Sequence, residues 1–591
     1  MASTTKPMYH FPSRRSVVHS LKGIVSSSQP IASQVGVRIL EQGGNAADAA
    51  VAVAAVLNLT EPNSCGIGGD MFCMFYDASN GKIRALNGSG RSAANSSLES
   101  IRADLGIQEG RIPTTSVHSV TVPGAAAGWV DTVEKFGSGN LSLAEVLAPA
   151  IRLGEEGYPI SEIAAYSWNK SEKRIKEASM FGHELLKPDT HAEGGYRAPK
   201  VGEIMTNRTL AHTFKQVAKH GKAGFYQGSV AHAIVKETTR QGGHLTLEDL
   251  RSHGDAGSEE TEPISIRLTA LGVNADRGGL NVYEHMPNGQ GIVALMSLGI
   301  IQELEKTGQI KKWSISEHNS VDHLHPVIES LRLGFADAHW YVTDPNVISV
   351  PTAELLSPAY LSTRAALYKS TTALPQDLTH GSPALSSSDT VYFSVADEAG
   401  NACSFIFSNY LGFGSAIVPP GCGFTLQNRG SNFNIPAPGS SHPNEYAPSK
   451  RPYHTIIPAL ATHADTGELA HVLGVMGGFM QPQGHVQVLL NMHVFGMDEQ
   501  SALDAPRICI GEGMPDADGT VKGMIISVEE GIPEETIEGL KKLGHEVVLV
   551  TGHDRSTFGR GQVITKRVDG GRVVWSAGSD PRADGAAMPV V

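Results

Sequence analysis

The amino-acid sequence predicts an α+β fold in which stacked β-sheets are covered by helices. Val391, Phe393 and Val395 fall on one face of a segment with the period of a half-buried strand. Residues 45–59 are small and apolar around most of a helix circumference, so we expect this helix to be buried against a sheet. Because strand-like and helix-like segments occur in both halves of the chain, packed layers of both kinds are expected.

Helix and strand signals can be assigned along most of the chain. Asn45 is a predicted helix N-cap, with Asp48 at the third helical position. A polar loop is expected at residues 253–262, and the final strands are expected to form a pair. Predicted helices occupy residues 32–42, 45–59, 141–156, 245–250, 292–306, 321–335 and 483–495, and predicted strands occupy residues 71–76, 83–86, 391–396, 402–409, 454–460, 471–476, 546–550 and 572–577.

Composition narrows the class of protein. The 591 residues carry a net charge of −13 and show no basic stripe, so nucleic acid is not an expected partner. No apolar run reaches the length of a membrane span. The five cysteines are odd in number and lack CxxC spacing, which disfavours a disulfide framework and a structural zinc site. We therefore expect a cytoplasmic protein, with organellar import left open because no acidic residue precedes Glu41.

No cofactor or metal ion is predicted. The Gly-rich residues 61–70 do not complete a dinucleotide-binding fingerprint, and no GK[ST] motif occurs. His323, His325 and His339 lie in or near a predicted helix but lack the H-E-x-x-H spacing of a zinc hydrolase. A metallohydrolase is therefore a remote alternative.

Thr390 lies between a polar run and a predicted strand. If the chain is cut between Asp389 and Thr390, the hydroxyl and the new α-amino group belong to one residue, and the amine serves as the local base. Its reference pKa of about 7.7–8.0 suits proton transfer near neutrality. The dipeptide alone decides nothing, because Asp-Thr also occurs at Asp131-Thr132, Asp189-Thr190 and Asp465-Thr466.

Two terminal segments are expected to be flexible. Residues 1–28 form a polar N-terminal stretch, and residues 369–388 are rich in Ser, Thr, Pro and Ala. If the chain is cut before Thr390, residues 369–389 become the C-terminal tail of the first product.

A series of ordered motifs runs through residues 30–585. These motifs are residues 40–50, Gly66-Ile-Gly-Gly-Asp70, Pro123-Gly124, Asp389-Thr390 with residues 394–397, Gly400-Asn401, Lys450-Arg-Pro452, Gly477-Gly478 and Ser579-Asp-Pro-Arg582. Taken together rather than singly, they resemble the γ-glutamyltransferase family of N-terminal nucleophile hydrolases.

The resemblance implies an αββα four-layer sandwich made as a proenzyme that cuts itself. Residues 1–389 would form a large subunit and residues 390–591 a small subunit, intertwined in one globular unit. The product would be a heterodimer, and pairing of two heterodimers is left open. Thr390 would be the nucleophile, with Gly477 and Gly478 as backbone donors of the oxyanion hole. Ser408 falls where the family has a threonine that supports the nucleophile.

The substrate-binding positions depart from the family pattern. Arg91 falls on the family's carboxylate-binding arginine. An acidic residue and a glutamine that surround the substrate amino group correspond here to Asn432 and Arg429. A Ser-Ser pair corresponds to His454 and Thr455, and an asparagine corresponds to Tyr410, with Asn409 adjacent. Replacing an anion by a guanidinium disfavours an ammonium group and favours a second carboxylate or a neutral polar group.

The leading hypothesis is therefore a self-processing amidohydrolase or acyltransferase of an acylase-like branch of this family. Its expected substrate is a small-molecule amide whose acyl group carries a carboxylate, of γ-glutamyl or glutaryl type, and the expected intermediate is a Thr390 acyl-enzyme. A glutathione hydrolase or γ-glutamyl transpeptidase proper is the first alternative. A non-catalytic scaffold of the same fold is the second, and it predicts an uncut chain.

Overall fold

The computed structural model describes residues 15–375, 389–512 and 524–591. The strands are β1 Val18–Ser20, β2 Ile24–Ser27, β3 Asp70–Asp77, β4 Lys82–Gly88, β5 Gly110–Arg111, β6 Tyr158–Pro159, β7 Lys187–Pro188, β8 Tyr196–Arg197, β9 Ile204–Met205, β10 Glu259–Thr261, β11 Ile264–Leu268, β12 Leu280–Glu284, β13 Asp389–Ala396, β14 Ala402–Tyr410, β15 Asn434–Ile435, β16 Ala459–His463, β17 Leu469–Met476, β18 Ile508–Glu512, β19 Met524–Glu529, β20 Glu546–Val550, β21 Arg560–Asp569, β22 Arg572–Ser579 and β23 Ala586–Pro589.

Helices occur between these strands throughout the chain. They are α1 Pro30–Glu41, α2 Ala46–Thr60, α3 Leu98–Leu105, α4 Ala125–Phe136, α5 Leu143–Glu156, α6 Glu162–Ala178, α7 Arg208–His220, α8 Ala223–Tyr226, α9 Gly228–Arg240, α10 Leu247–Ala256, α11 Gly291–Lys306, α12 Val321–Tyr341, α13 Thr352–Leu355, α14 Pro358–Ala365, α15 Met480–His493, α16 Glu499–Asp504 and α17 Glu534–Lys542.

Two seven-stranded antiparallel sheets form the centre of the molecule. The first, sheet I, has the strand order β1-β22-β21-β17-β16-β12-β11, and the second, sheet II, has the order β10-β4-β3-β14-β13-β2-β23. Buried side chains from both sheets meet in shared apolar clusters, so the sheets lie face to face.

Helices cover the outer face of each sheet. Val391, Phe393 and Val395 of β13 belong to a core cluster shared with α1, α2, α4 and α5. Tyr392, between them, points the other way and joins a cluster with Met476 of sheet I. The opposite face of sheet I packs on α11, α12 and α15. The predicted alternation in β13 is confirmed, and so is the predicted αββα sandwich.

Helix α2 begins with the N-terminal capping box that the sequence predicts at Asn45 and Asp48. The Asn45 side chain accepts from the N–H of Asp48, and the Asp48 carboxylate accepts from the N–H of Asn45 at 3.0 Å, which satisfies two unpaired helix-end donors. All its residues are buried, as the apolar circumference predicts. No helix of the described residues, α2 included, has the length and apolarity needed to cross a membrane.

Residues 15–28 are not a flexible terminus, contrary to the prediction. The strand β1 pairs with β22 of sheet I, and β2 pairs with both β13 and β23 of sheet II. These strands are short and serine-rich, and distant partners hold them, so local sequence carries no signal for them. Residues 1–14 lie outside the described residues.

Part of the predicted tail also packs on the protein. The Ala373 N–H donates to the Leu543 carbonyl at 2.7 Å, and the Arg332 guanidinium donates to the Leu374 carbonyl at 2.9 Å. The remainder of the tail, residues 376–388, lies outside the described residues.

Three other expectations are wrong. The supposed loop at residues 253–262 contains the end of α10 and the edge strand β10, because a capping box at Thr246 starts a longer helix. In residues 454–460 the strand begins only at Ala459, preceded by an isolated bridge at His454. The last strands do not pair with each other: β20 pairs with β19 in a small separate sheet, whereas β22 pairs with β21.

Candidate active site

Thr390 lies at the start of β13, in a bulge between the central strands of sheet II. Asp389 is opposite Tyr410 and Val391 is opposite Phe407, so β14 has one extra residue beside Thr390. The buried Thr390 Oγ1 lies 3.0 Å from the Ser408 Oγ. The Tyr410 N–H donates to the same Ser408 Oγ at 2.8 Å, which orients the serine hydroxyl. The structure therefore brings the predicted nucleophile and its predicted partner into hydrogen-bond contact.

Gly477 and Gly478 form the turn between β17 and α15. Both have positive φ, 131° and 57°, and a Cβ at Gly477 would lie 3.1 Å from the Gly559 Cα, so glycine is required there. Met476, directly before the turn, shares a buried cluster with Tyr392, two residues after Thr390. This cluster places the glycine turn and the start of β13 at the same end of the space between the sheets.

Gln290 holds the glycine turn and a neighbouring segment together. Its Nε2 donates to the carbonyl of Gly478 at 2.8 Å and to the carbonyl of Thr455 at 2.7 Å. Its Oε1 accepts from the Tyr453 hydroxyl at 3.1 Å. Both N–H bonds and the oxygen of this buried amide have partners. Gln290 is therefore a positioning residue, and the sequence analysis did not identify it. No local pattern points to it, because its partners lie more than 160 residues away.

Asp70 and His454 form a buried pair beside Ser408. Asp70 is the cross-strand partner of Ser408. The Ile456 N–H donates to the His454 Nδ1 at 3.3 Å, so the ring proton is on Nε2, which lies 3.1 Å from the Asp70 Oδ2. Both ring nitrogens are thus engaged within the protein. The His454 ring therefore orients Asp70 and has no free nitrogen with which to bind a substrate.

The Asp70 carboxylate is held by three N–H donors. Its Oδ1 accepts from the N–H groups of Gly90 at 3.0 Å and Gly124 at 3.2 Å, in addition to the His454 contact at Oδ2. Burial raises the pKa of Asp70 to about 6, against the opposing effects of Arg429 and these N–H groups. Burial also lowers the pKa of His454 well below its usual value, so the ring is neutral.

Arg429 has a buried guanidinium with unused donors. Its Nη1 donates to the Thr455 Oγ1 at 2.6 Å, and the guanidinium carbon lies 4.4 Å from the centre of the Tyr410 ring. Among the residues that the structure describes, nothing accepts from its Nε or Nη2. Burial lowers the pKa of Arg429 to about 10, opposed by the charge of Asp70, so the group remains charged near neutrality. A buried fork with two free N–H donors fits a carboxylate ligand.

Three other predicted substrate residues also have buried polar groups. Tyr410, whose ring lies under Arg429, has a buried hydroxyl without a hydrogen-bond partner in the described chain, and the Oδ1 of Asn432 is in the same state. The Asn432 Nδ2 donates to the Tyr453 carbonyl at 3.1 Å. The Asn409 Nδ2 donates to the Pro62 carbonyl at 3.1 Å, which fixes the loop before β3, and its buried Oδ1 has no hydrogen-bond partner among the described residues.

Arg91 has other charged neighbours than Arg429. Its side chain is partly exposed. Burial and the neighbouring Arg451 lower its pKa, opposed by Asp344 and Glu259. Arg429 instead lies against Tyr410 and Thr455 and feels the charge of Asp70.

The Gly-rich motif locates Asp70 in the sequence but indicates no role for it. Asp70 ends the Gly66-Ile-Gly-Gly-Asp70 motif, and the glycines before it allow close packing: a Cβ at Gly69 would lie 2.9 Å from the Asn409 Oδ1. Only the fold brings Ser408 and His454 to this carboxylate. Two groups of possible metal ligands occur in the described residues, Asp104–His118–His244 and His325–Glu329–His545, and neither includes a residue of this site.

We expect the Asp70→Asn variant to lose activity and to change its pH response. An asparagine offers one acceptor oxygen, so its NH2 group would face an N–H donor of Gly90, Gly124 or His454. One unsatisfied buried donor costs about 1–3 kcal/mol. Since the carboxylate is protonated as the pH falls through about 6, kcat/KM of the wild type should fall over that range and the variant should lack this limb.

The stability difference has a defined sign. Because burial raises the pKa of Asp70 to about 6, its contribution is fully present below the ordinary pKa of aspartate and is lost as the pH rises through 6. The advantage of wild type over Asp70→Asn in free energy of unfolding should therefore shrink as the pH rises from about 4 to about 6 and stay constant above that. Asp77→Asn, at the other end of β3, is the control, and equal pH profiles for wild type and Asp70→Asn would contradict the assignment.

Two stacked antiparallel sheets between helical layers, with a threonine hydroxyl at the start of an inner strand, have the four-layer fold of N-terminal nucleophile hydrolases. The sequence profile of the family described as gamma-glutamyltranspeptidase matches residues 32–590. The chain belongs to this family.

Three similar proteins indicate the range of the family around this chain. The glutathione hydrolase-like YwrD proenzyme of Bacillus subtilis is 33% identical over 96% of this chain and 98% of the relative. The oxamate amidohydrolase proenzyme of Klebsiella pneumoniae is 28% identical over 96% of this chain and 98% of the relative. The crystal structure of a cephalosporin acylase from Bacillus halodurans has a TM-score of 0.83 and 39% identity, covering 98% of each chain.

Proposed function

We propose that this protein is a self-processing amidohydrolase or acyltransferase that cleaves the amide of a small acyl group bearing a carboxylate. The observation that carries the proposal is the Thr390 Oγ1 at 3.0 Å from the Ser408 Oγ, at the start of a strand in a chain of this family. A hydroxyl held at that place supports both self-cleavage and catalysis.

Self-processing would begin with the Thr390 hydroxyl attacking the Asp389 carbonyl carbon. The peptide C–N bond breaks as an ester forms, and the Thr390 nitrogen becomes a free amine. Water then hydrolyses the ester, which releases the Asp389 carboxylate and the Thr390 hydroxyl. The proenzyme names of the Bacillus subtilis and Klebsiella pneumoniae relatives support processing into two subunits.

The mature site would use the same hydroxyl on the substrate. The Thr390 α-amino group takes the hydroxyl proton, Thr390 Oγ1 attacks the amide carbonyl, and the amine leaves with that proton. The N–H groups of Gly477 and Gly478 would hold the oxyanion, with Gln290 fixing the turn. Water, or an acceptor amine, then resolves the acyl-enzyme.

Arg429 would select the acyl group. Its buried Nε and Nη2 are free of partners among the described residues, and two N–H donors on one face can bind a carboxylate through both oxygens. Arg91 would hold a substrate carboxylate, as the family resemblance implies. A substrate α-ammonium would meet Arg429 and the neutral Asn432 instead of an acidic group, which is unfavourable.

Glutathione hydrolysis remains the second candidate function. The name of the Bacillus subtilis relative favours it, and the unpaired Oδ1 of Asn432 is an acceptor that an ammonium group could use. The names of the Klebsiella and Bacillus halodurans proteins favour an amide other than glutathione.

A pair of anilides distinguishes the two functions. Glutaryl p-nitroanilide and γ-glutamyl p-nitroanilide differ only by the α-amino group, so the ratio of their kcat/KM values reports how the site treats an ammonium. We expect the glutaryl compound to be preferred by roughly tenfold or more, since an unfavourable charge contact costs on the order of 1–2 kcal/mol. A strong γ-glutamyl preference would contradict the role given to Arg429.

A further inference from the structure

The backbone around Arg429 rests on a separate segment, residues 114–121, which we call the support segment. The Asn428 Nδ2 donates to the Thr114 carbonyl at 2.9 Å, and the Gln427 Nε2 donates to the Thr121 carbonyl at 3.3 Å. Gly430 is pressed against the same segment, because a Cβ there would lie 2.8 Å from the Ser119 oxygen. The position of Arg429 therefore depends on the support segment.

Three side chains that could ligate a metal ion meet beside the support segment. His118 is part of the support segment, Asp104 lies at the end of α3, and His244 lies just before α10. The Asp104 Oδ2 is 2.7 Å from the His244 Nε2 and 3.9 Å from the His118 Nε2. One ligand atom from each residue lies within 4.8 Å of the other two.

His118 is the unusual member of this group. Its side chain is 9% exposed, its Nδ1 is buried without a hydrogen-bond partner in the described chain, and its Nε2 faces Asp104 beyond hydrogen-bond distance. The Nε2 faces the Asp104 Oδ2, so it is the ring nitrogen that a metal ion beside Asp104 would take as a ligand.

The spacing fits a transition-metal ion. Zinc binds imidazole nitrogen and carboxylate oxygen at about 2.0–2.2 Å, so ligand atoms around a tetrahedral ion are roughly 3.3–3.5 Å apart. The two measured distances, 2.7 Å and 3.9 Å, lie on either side of that value. Shifts of less than about 1 Å in the two partly exposed side chains, Asp104 and His244, would complete the arrangement.

We propose that Asp104, His118 and His244 bind one divalent transition-metal ion of the zinc type, and that this ion ties the support segment to α3 and to the start of α10. A water molecule would complete the coordination. The site is separate from the Thr390 chemistry and acts on the protein as a structural link behind Arg429.

The second group of possible ligands does not support a similar site. The Arg332 guanidinium already forms an ion pair with the Glu329 carboxylate at 2.9 Å. A cation there would meet the charge of this arginine.

Zinc titration of the chelator-treated full chain tests the proposal. Calorimetry should show one more equivalent of Zn²⁺ bound by wild type than by the Asp104→Asn/His244→Ala double variant, with affinity at the site weakened by roughly 100-fold or more. Both substituted side chains are partly exposed, so the double variant is expected to fold. His191→Ala, at an exposed histidine elsewhere, is the control and should bind as wild type does.

Two further measurements complete the test. Co²⁺ should give the visible absorption of a low-symmetry site in wild type and lose it in the double variant. Zn²⁺ should raise the thermal midpoint of wild type and leave that of the double variant unchanged, since only a ligand bound to the folded state stabilises it. Equal zinc stoichiometry in wild type and double variant would overturn the proposal, as would a Co²⁺ spectrum common to both.

Discussion

The Thr390→Ala variant is expected to purify as one uncut 591-residue chain without amidohydrolase activity. Self-cleavage and turnover use the same hydroxyl in the proposed mechanism, so removing it abolishes both. Losing the nucleophile of a comparable hydrolase costs about 10⁶ in kcat. A denaturing gel of freshly purified protein should show wild type as two bands, corresponding to residues 1–389 and 390–591.

Two controls make this result specific to position 390. Thr390→Ser keeps a hydroxyl near Ser408 and should still cut, with a lower rate. Thr466→Ala changes an exposed threonine in another Asp-Thr pair and should behave as wild type. An uncut wild-type chain, unaffected by Thr390→Ala, would instead support the non-catalytic scaffold. Fragments that persist in Thr390→Ala would show that an outside protease makes the cut.

The second large effect is expected at Arg429. In Arg429→Gln, kcat/KM for glutaryl p-nitroanilide should fall by roughly 10- to 100-fold, because a hydrogen bond to a charged group contributes about 1.5–3 kcal/mol. The value for the γ-glutamyl anilide should fall less or rise, since the variant no longer repels an ammonium group. The ratio of the two values therefore moves toward γ-glutamyl.

The stability of the Arg429→Gln variant should not fall along with its activity. The guanidinium is fully buried and two of its nitrogens lack partners in the described chain, so it is costly to keep in the folded state. Arg429→Gln should unfold at the same denaturant concentration as wild type or at a higher one. Arg429→Lys keeps the charge but loses the fork, and should be intermediate in substrate preference. Arg152→Gln, at an exposed position, controls for net charge.

An outcome that contradicts this assignment is easy to recognise. If Arg429→Gln is strongly destabilised and keeps the wild-type substrate ratio, the guanidinium has a structural role through Thr455 and Tyr410. The substrate preference would then have to come from Arg91 or from residues on its side of the site.

Several parts of the fold could be predicted because their signals are local. The alternation in β13 and the capping box at Asn45 depend on residues a few positions apart, and both appear in the structure. The strands β1 and β2 could not be predicted, because partners hundreds of residues away hold them. The predicted end of helix α10 was too early for a different reason. The last turn of this helix is polar, which is typical of a loop, although His253 in that turn is buried.

Some residues of the candidate site could likewise be predicted from the sequence, and others could not. Thr390 and Ser408 could be identified from motif and resemblance, and the structure brings their hydroxyls together. The burial of Arg429 with unpaired N–H groups could not be predicted, because it depends on how the surrounding residues pack. His454 was expected to help bind substrate, but its ring is occupied by Asp70 and the Ile456 N–H. Only three-dimensional contacts decide between such roles.

The order of strands in the two sheets has a consequence for the cut protein. In sheet I, β22, β21, β17 and β16 come from after Thr390 and lie between strands from before it, and in sheet II the strand β2 lies between β13 and β23. Two polypeptides separated at Thr390 would thus be woven through each other, and neither could leave without breaking several hydrogen-bonded ladders. We expect both pieces to co-elute in native gel filtration and to separate only in denaturant, so the covalent break would release a new amino terminus without releasing a subunit.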